Sequence, residues 1–250
     1  MTLFADEIRI IAANCNQEVL QTALNKTLSD IISWFKANFP SLNFNKTYLE
    51  FRTKNCVDTT LDINYCNISI ANDTHIEFLG LVTDGPLAWG NHTDQLISRL
   101  NSARYTITAV KTTLSRDALR MLYISYVHSI ISYGIIFWGN TPNSVKTFIM
   151  HKKVLRTITN LKKMDSCTEL FKTMEILSFY SQYIFSLLLH VENNKHLFTK
   201  NLAVHNHATR SASHFHLPIP NLTKYKKELI MQKLKFLITF PLTQSVQRMK

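Results

Sequence analysis

A run of 19 residues at 121–139, MLYISYVHSIISYGIIFWG, carries no formal charge and is almost long enough to cross a lipid bilayer. Within it, Ser125, His128, Ser129 and Ser132 recur at spacings that place them in one stripe of a helix. The other faces of that helix are apolar, and the charged residues just before the run continue the same helical period. The pattern favours a buried core helix with a polar seam over a membrane span, and it predicts no membrane partner.

The charge of the chain changes sign near residue 95. Residues 1–95 hold 6 Lys and Arg against 11 Asp and Glu, a net charge of −5. Residues 96–250 hold 22 against 6, a net charge of +16, and the two parts give the total of +11. A basic segment of this size indicates a polyanionic partner, first nucleic acid and second an anionic membrane surface. An ordinary basic surface without such a partner is the alternative.

The hydrophobic pattern changes at almost the same point. Before residue 90 the sequence predicts a hairpin around Asp6 and Glu7, one helix at 18–39, and strands at 47–51, 61–70 and 76–82. After residue 90 the period is almost entirely helical. The predicted helices lie at 96–110, 115–139, 142–161, 167–174, 178–190 and 224–237, with a loop at 201–223.

These patterns predict an α+β chain with short antiparallel strands and one helix, followed by a mostly α-helical region. On the helix at 142–161, five apolar side chains are expected to face inward: Val145, Phe148, Ile149, Leu155 and Ile158.

The four cysteines form no Cys-x-x-Cys pair, and the N-terminus does not resemble a secretory signal. We therefore expect free thiols and an intracellular protein that is not secreted, with the choice between nucleus and cytoplasm left open. The two His-x-His pairs, His205 with His207 and His214 with His216, suit a transition metal, although solvated loop histidines fit the same pattern.

Four groups of motifs follow one another along the chain. They are FADE at 4–7, WFKAN and LNFNKT at 34–38 and 42–47, FLGL at 78–81, and YGIIFWG and HKKVLR at 133–139 and 151–156. In this order and spacing they resemble the C-terminal part of reverse transcriptases from non-long-terminal-repeat (non-LTR) retrotransposons of the jockey-like kind. The resemblance implies a partial palm at 1–90, a helical thumb-like region at 91–200, and a loop with a basic C-terminal helix at 201–250.

In that family the palm turn holds Mg²⁺ for RNA-directed DNA synthesis, so the resemblance assigns the metal-ligand positions to Asp6 and Glu7. Carboxylate oxygens suit Mg²⁺, and polymerases use two such ions. The resemblance also places Lys46 near the incoming nucleotide. It places Phe78, Leu79, Gly80 and Leu81 at the primer grip, where a buried strand is the competing interpretation.

The family's metals are held jointly by this turn and by an aspartate on an earlier strand, and neither that strand nor the fingers are found in these 250 residues. We therefore expect Asp6, Glu7 and Lys46 to be vestigial, and the chain alone to bind no Mg²⁺ tightly and to lack polymerase activity. An N-terminal polymerase fragment acting in trans is the partner that would complete the site.

The expected surviving activity is nonspecific binding of an RNA or DNA template–primer duplex through phosphate contacts. Ten basic residues are predicted to make them: Arg99, Arg104, Lys111, Arg116, Arg120, Lys152, Lys153, Arg156, Lys162 and Lys163. Two alternatives stay open. The chain is a helical protein–protein interaction module, or it is a non-functional remnant of a mobile element.

Overall fold

The computed structural model divides the chain into two units, Met1–His92 and Thr93–Lys250. The residues that the structure describes are 2–4, 7–38, 47–49, 64–65, 68–73, 75–84, 87–159, 161–162, 165–204, 210 and 212–216. The predicted scheme of three segments, with bounds near residues 90 and 200, stays a prediction.

Unit 1 begins with the predicted hairpin. Strands β1 (Thr2–Phe4) and β2 (Glu7–Arg9) pair antiparallel, with Phe4 opposite Glu7. This register confirms the hairpin and leaves a connection of two residues, 5 and 6, which lie outside the described residues.

Helix α1 (Gln17–Asn38) confirms the helix predicted at 18–39. The side chain of Asn16 accepts a hydrogen bond from the backbone N–H of Glu18 at 2.9 Å, which satisfies a free N–H at the start of the helix. The helix buries one apolar stripe, formed by Leu20, Leu28 and Ile32. Burial of this stripe fixes which face of α1 is turned to the interior of unit 1.

The middle strands of unit 1 differ from the prediction. Strands β3 (Tyr48–Leu49) and β6 (Ala71–Asn72) pair in parallel, whereas β4 (Asn64–Tyr65) and β5 (Ile68–Ser69) form an antiparallel pair. The single strand predicted over 61–70 is therefore wrong, because the chain reverses direction between residues 65 and 68.

The strand predicted at 76–82 is also wrong, because the chain makes a hairpin there. Strands β7 (His75–Phe78) and β8 (Leu81–Asp84) pair antiparallel. The two loop residues, Leu79 and Gly80, have φ values of 50° and 71°. Positive φ at both positions is what a type I′ turn requires, although leucine rarely adopts it.

Helix α2 (Gly90–Val110) begins before the helix predicted at 96–110 and ends at the same residue. It buries Leu96, Leu100, Ala103 and Ile107, as the helical period indicated.

The next helix is interrupted, so the prediction of one continuous helix from 115 to 139 is wrong. Ser115 does cap its start, since its side chain accepts from the N–H of Ala118 at 3.3 Å. Gly134 then takes a left-handed φ of 58°, which ends the run before its last turn. The pieces are α3 (Arg116–Leu122), a π-helical segment (Tyr123–His128), α4 (Ser129–Ser132) and α5 (Ile135–Trp138).

This interrupted run nevertheless lies in the core of unit 2, as predicted. Tyr123, Val127, Ile131, Ile135 and Trp138 are each no more than 1% exposed. Over the residues that the structure describes, no helix is both long enough and apolar enough to cross a membrane.

The helix predicted at 224–237 lies outside the described residues. The remaining helical segments follow α5 along the chain. Their bounds are α6 (Ser144–Thr159), α7 (Thr168–Thr173), α8 (Phe179–Asn193), a 3₁₀ turn (Lys195–Leu197) and α9 (Asn201–Val204). The predicted α+β class, mostly helical with short strands, is confirmed.

Candidate nucleic-acid interface

The structure describes the two carboxylate residues predicted to form a palm turn only in part. The backbone of Glu7 belongs to β2, while Asp6 lies outside the described residues, as does Lys46. Within the described ranges, no group of three or more His, Cys, Asp or Glu side chains is arranged to hold a metal ion. A Mg²⁺ site at this turn therefore stays a prediction.

The residues predicted at the primer grip comprise the end of β7 (Phe78), the two turn residues (Leu79 and Gly80) and the start of β8 (Leu81). Phe78 and Leu79 are half-buried and Gly80 is exposed, so this segment is not a buried strand. The guanidinium carbon of Arg9 lies 5.4 Å from the centre of the Phe78 ring, a cation–π contact that joins the first hairpin to this one. A role for the turn in holding a primer stays a prediction.

The basic residues predicted on the first two helices of unit 2 do not share one face. Arg99 and Arg104 are separated by about 140° around α2, at about 100° per residue. Arg99 is exposed and Arg104 is half-buried, as is Lys111 just beyond the end of α2. Arg116 is exposed in the first turn of α3.

Arg120 is engaged inside unit 2. Its Nε donates to the carbonyl oxygen of Met174 at 2.7 Å, and its Nη2 donates to a carboxylate oxygen of Glu175 at 2.9 Å. Glu175 follows the end of α7 with a left-handed φ of 51°. Arg120 therefore fixes the end of α7 against α3, and its N–H groups are in part unavailable to a phosphate.

Helix α6 carries the densest group of predicted contacts, and its orientation differs from the prediction. Val145 and Ile149, expected to face inward, are 47% and 46% exposed, and Phe148 is half-buried. The buried residues are Ser144, Thr147, Met150, His151, Val154, Leu155 and Ile158. Three of these are Ser, Thr or His, so the positions of the apolar residues alone did not predict which side of α6 is buried.

Two adjacent lysines lie on the outer side of α6. Lys153 is exposed, and Lys152 is half-buried with its ammonium nitrogen 4.3 Å from the centre of the Phe148 ring. A cation–π contact of this kind restrains the ammonium group without using all of its N–H donors. Both lysines can therefore donate to an anion at the surface.

The neighbouring basic residues are used differently. Arg156 donates from Nε at 3.2 Å and from Nη2 at 2.8 Å to the carbonyl oxygen of Asp165. The carboxylate of Asp165 accepts from the backbone N–H of Lys162 at 2.8 Å, while the Lys162 side chain is exposed. Lys163 lies outside the described residues. Arg156 thus stabilises the turn that follows α6.

A shallow depression of about 280 Å³ lies between α2 and α6. Its lining combines apolar side chains with polar and basic ones: Ile97, Asn101, Lys146, Ile149, Met150 and Lys153. The Lys146 ammonium donates to the Asp94 carboxylate at 3.1 Å, joining the two helices across it. Arg104 follows Ile97 and Asn101 at helical spacing, so it extends this flank of α2.

Sequence reasoning missed a buried polar pair that joins α6 to the π-helical segment. The Tyr123 hydroxyl is hydrogen-bonded to Nε2 of His151, and the two rings stack with centroids 5.8 Å apart. The Phe171 ring meets the imidazole edge-on at 5.2 Å. A histidine next to two lysines resembles a surface residue, and no periodic signal marks this one as buried.

The environment of this pair keeps the imidazole neutral. Burial, with a smaller contribution from His128, lowers the pKa of His151 to about 3, and burial raises the pKa of Tyr123. Among the described residues neither Nδ1 of His151 nor Oγ1 of Thr147, one turn earlier, has a hydrogen-bond partner.

One curated protein resembles the chain over a substantial part of its length. It is named Probable RNA-directed DNA polymerase from transposon BS, from Drosophila melanogaster, and is 25% identical over 168 residues. The match covers 64% of this chain and 18% of the relative, so the chain spans less than a fifth of that protein's length. No family model and no solved structure matches the chain. The match supports the predicted relationship to reverse transcriptases.

Proposed function

We propose that the chain corresponds to the C-terminal part of a non-LTR reverse transcriptase of the jockey-like kind and binds nucleic acid nonspecifically through phosphate contacts. The order of the four motif groups and the similarity to a protein named as an RNA-directed DNA polymerase support this. The RNA or DNA template–primer duplex of the parent enzyme is the proposed ligand. Residues 1–90 would then derive from the palm and residues 91–200 from the thumb.

The observation that carries the proposal is the outward position of Lys152 and Lys153 on α6, beside the Lys146 rim of the depression. Phosphate contacts need cations on an accessible face and carry no sequence information. Five further basic residues would contribute a weaker positive electrostatic potential around this site: Arg99, Arg104, Lys111, Arg116 and Lys162. Arg120 and Arg156 already donate to backbone carbonyl groups, so we propose that they support the fold instead.

Binding is tested with the double variant Lys152→Ala/Lys153→Ala and a labelled RNA–DNA duplex over a range of salt concentrations. Loss of two phosphate contacts should lower affinity and reduce the slope of log K against log salt by about 2. The matched control is Lys172→Ala/Lys195→Ala, which removes the same charge from lysines paired with Glu169 and Glu192. Equal losses in both double variants would contradict an interface at α6.

We further propose that these 250 residues alone do not copy a template. Two-metal catalysis would need carboxylates that hold both metal ions, which stabilise the attacking and the leaving oxygen, and the resemblance assigns only the Asp6–Glu7 pair. In a primer-extension assay with Mg²⁺, the chain alone should add no nucleotide to a primed RNA template. Extension only after addition of a separately expressed fingers–palm fragment would fit this proposal, and extension by the chain alone would refute it.

A further inference from the structure

The outer side of α6 continues into a set of aromatic rings from α8. The Phe148 ring lies 4.9 Å from the Tyr180 ring, centre to centre, at an interplanar angle of 59°. The Phe179 ring, fully buried, supports Tyr180 edge-on at 5.4 Å. Tyr180 itself is 41% exposed, so it presents part of its ring at the surface on a rigid base.

The Lys152 ammonium belongs to the same set, 4.3 Å from the centre of the Phe148 ring. An exposed ring and a cation are therefore held together by Phe148, which contacts both. We call Phe148, Lys152 and Tyr180 the aromatic ridge. This pairing of a ring face with an ammonium group fits a nucleotide, which joins a flat base to a phosphate.

We propose that the aromatic ridge binds an unpaired segment of RNA or DNA, with a base stacked on Tyr180 and the adjoining phosphates held by Lys152 and Lys153. The inference rests on the proposed nucleic-acid binding and narrows it to single strands at this place. Bases inside a duplex already stack on their neighbours and cannot reach a protein ring, whereas unpaired bases can.

The exposed Val145 and Ile149 next to the ridge also raise the prospect of a second copy of the chain as occupant. Charge argues against it. A symmetric dimer brings the same patch of both copies together, so the lysines of one copy would meet those of the other. A polyanion has the complementary charge.

The test compares Tyr180→Leu, which keeps an apolar side chain but loses the ring, with Tyr180→Phe, which keeps the ring. The probes are a labelled single-stranded RNA of about 16 nucleotides and a duplex of the same sequence. Tyr180→Leu should weaken single-strand binding about 5- to 150-fold and leave duplex binding unchanged. Tyr180→Phe should match the original chain. So should the control Tyr105→Leu, at a tyrosine 78% exposed on α2.

A second readout does not depend on any variant. A 2-aminopurine base placed in the single strand should lose fluorescence when it stacks on the ring of the unaltered chain. Unchanged fluorescence in the bound strand, or equal single-strand affinity for Tyr180→Leu and the original, would overturn the ridge. The proposed function would still stand if Lys152→Ala/Lys153→Ala weakens binding. Failure of both RNAs to bind would overturn both proposals. If neither RNA binds and the chain self-associates in a way that Ile149→Asp abolishes, the surface is occupied by a second copy and both proposals are overturned.

Discussion

The Tyr123 hydroxyl is hydrogen-bonded to Nε2 of His151 in the interior of unit 2, where the two residues are 0% and 2% exposed. Tyr123 belongs to the π-helical segment and His151 to α6, the helix that carries the proposed lysine contacts. The position of α6 therefore depends in part on a polar contact inside a mostly apolar core, and that contact can be removed by a single substitution.

Tyr123→Phe should lower the free energy of unfolding by about 1–3 kcal/mol, because it leaves Nε2 of His151 buried without a hydrogen-bond partner. Urea unfolding followed by circular dichroism measures the change. Tyr105→Phe removes a hydroxyl from an exposed tyrosine and should have almost no effect. Unchanged stability in Tyr123→Phe would show that the buried hydrogen bond contributes nothing net.

Acid should destabilise unit 2 through His151. Its pKa is about 3 in the folded chain and near its usual 6.5 in the unfolded chain, so the unfolded chain takes up a proton that the folded one does not. The contribution of neutral, buried His151 to the free energy of unfolding is therefore fully present above pH 6.5. It decreases as the pH falls below 6.5 and is lost as the pH falls through 3. The loss should amount to a few kcal/mol.

Nuclear magnetic resonance of the His151 ring provides the direct measurement for this pH dependence. Its carbon-bound ring protons should keep their neutral-state shifts well below pH 6. In His151→Leu, stability should fall less steeply between pH 6.5 and 4 than in the original chain. A His151 that titrates near pH 6.5 in the folded state would contradict the burial on which this prediction depends.

Arg120→Ala should lower stability by about 1 kcal/mol and leave RNA affinity almost unchanged. The lost hydrogen bond to the Met174 carbonyl supplies most of the cost, because the ion pair with Glu175 is exposed and screened by solvent. Glu175→Gln, which removes the ion pair alone, should cost less. Urea unfolding and RNA titration distinguish this outcome from a phosphate contact, whose loss would lower affinity without lowering stability.

Gly139→Ala should destabilise unit 2 by about 1–3 kcal/mol through overpacking. A Cβ atom at Gly139 would lie 2.6 Å from the carbonyl oxygen of Ile135 and 2.6 Å from Cδ2 of Tyr183. Both distances are too short for real contacts, and the carbonyl belongs to the backbone of α5. Asn140→Ala, at the exposed neighbouring position, is the control and should change the unfolding midpoint little.

The sequence predicted where α1, α2 and α6 lie, but it missed the hairpin turn at Leu79 and the interruption of the helix expected at 115–139. From Leu96 to Ile107 in α2 the buried residues are apolar and regularly spaced, so the helical period identified the inner face of this part of the helix. In α6 the inner face contains Ser144, Thr147 and His151, and hydrophobicity placed Val145 and Ile149 inward instead. The hairpin at Leu79 was missed because leucine is not a residue that normally occupies a left-handed turn position.

The sequence predicted only those features of the candidate interface that depend on residues close together along the chain. Lys152 and Lys153 were predicted to contact phosphates from the helix at 142–161, and the structure places Lys153 exposed and Lys152 half-buried on the outer side of α6. The partners of Arg120 lie 54 and 55 residues further along the chain, and no spacing rule indicates them. The same holds for Tyr180, which approaches Phe148 only through the packing of two separate helices.

The π-helical segment Tyr123–His128 has a consequence for how the chain tolerates changes in length. A π turn accommodates an additional residue that α-helical winding would not. Removing one residue there would restore regular winding and would leave the later side chains of the run at nearly the same angle relative to α3. Trp138 would then keep its place in the interior, so loss of one residue should be tolerated better here than in the α-helical winding on either side, where it would turn Trp138 away from the core.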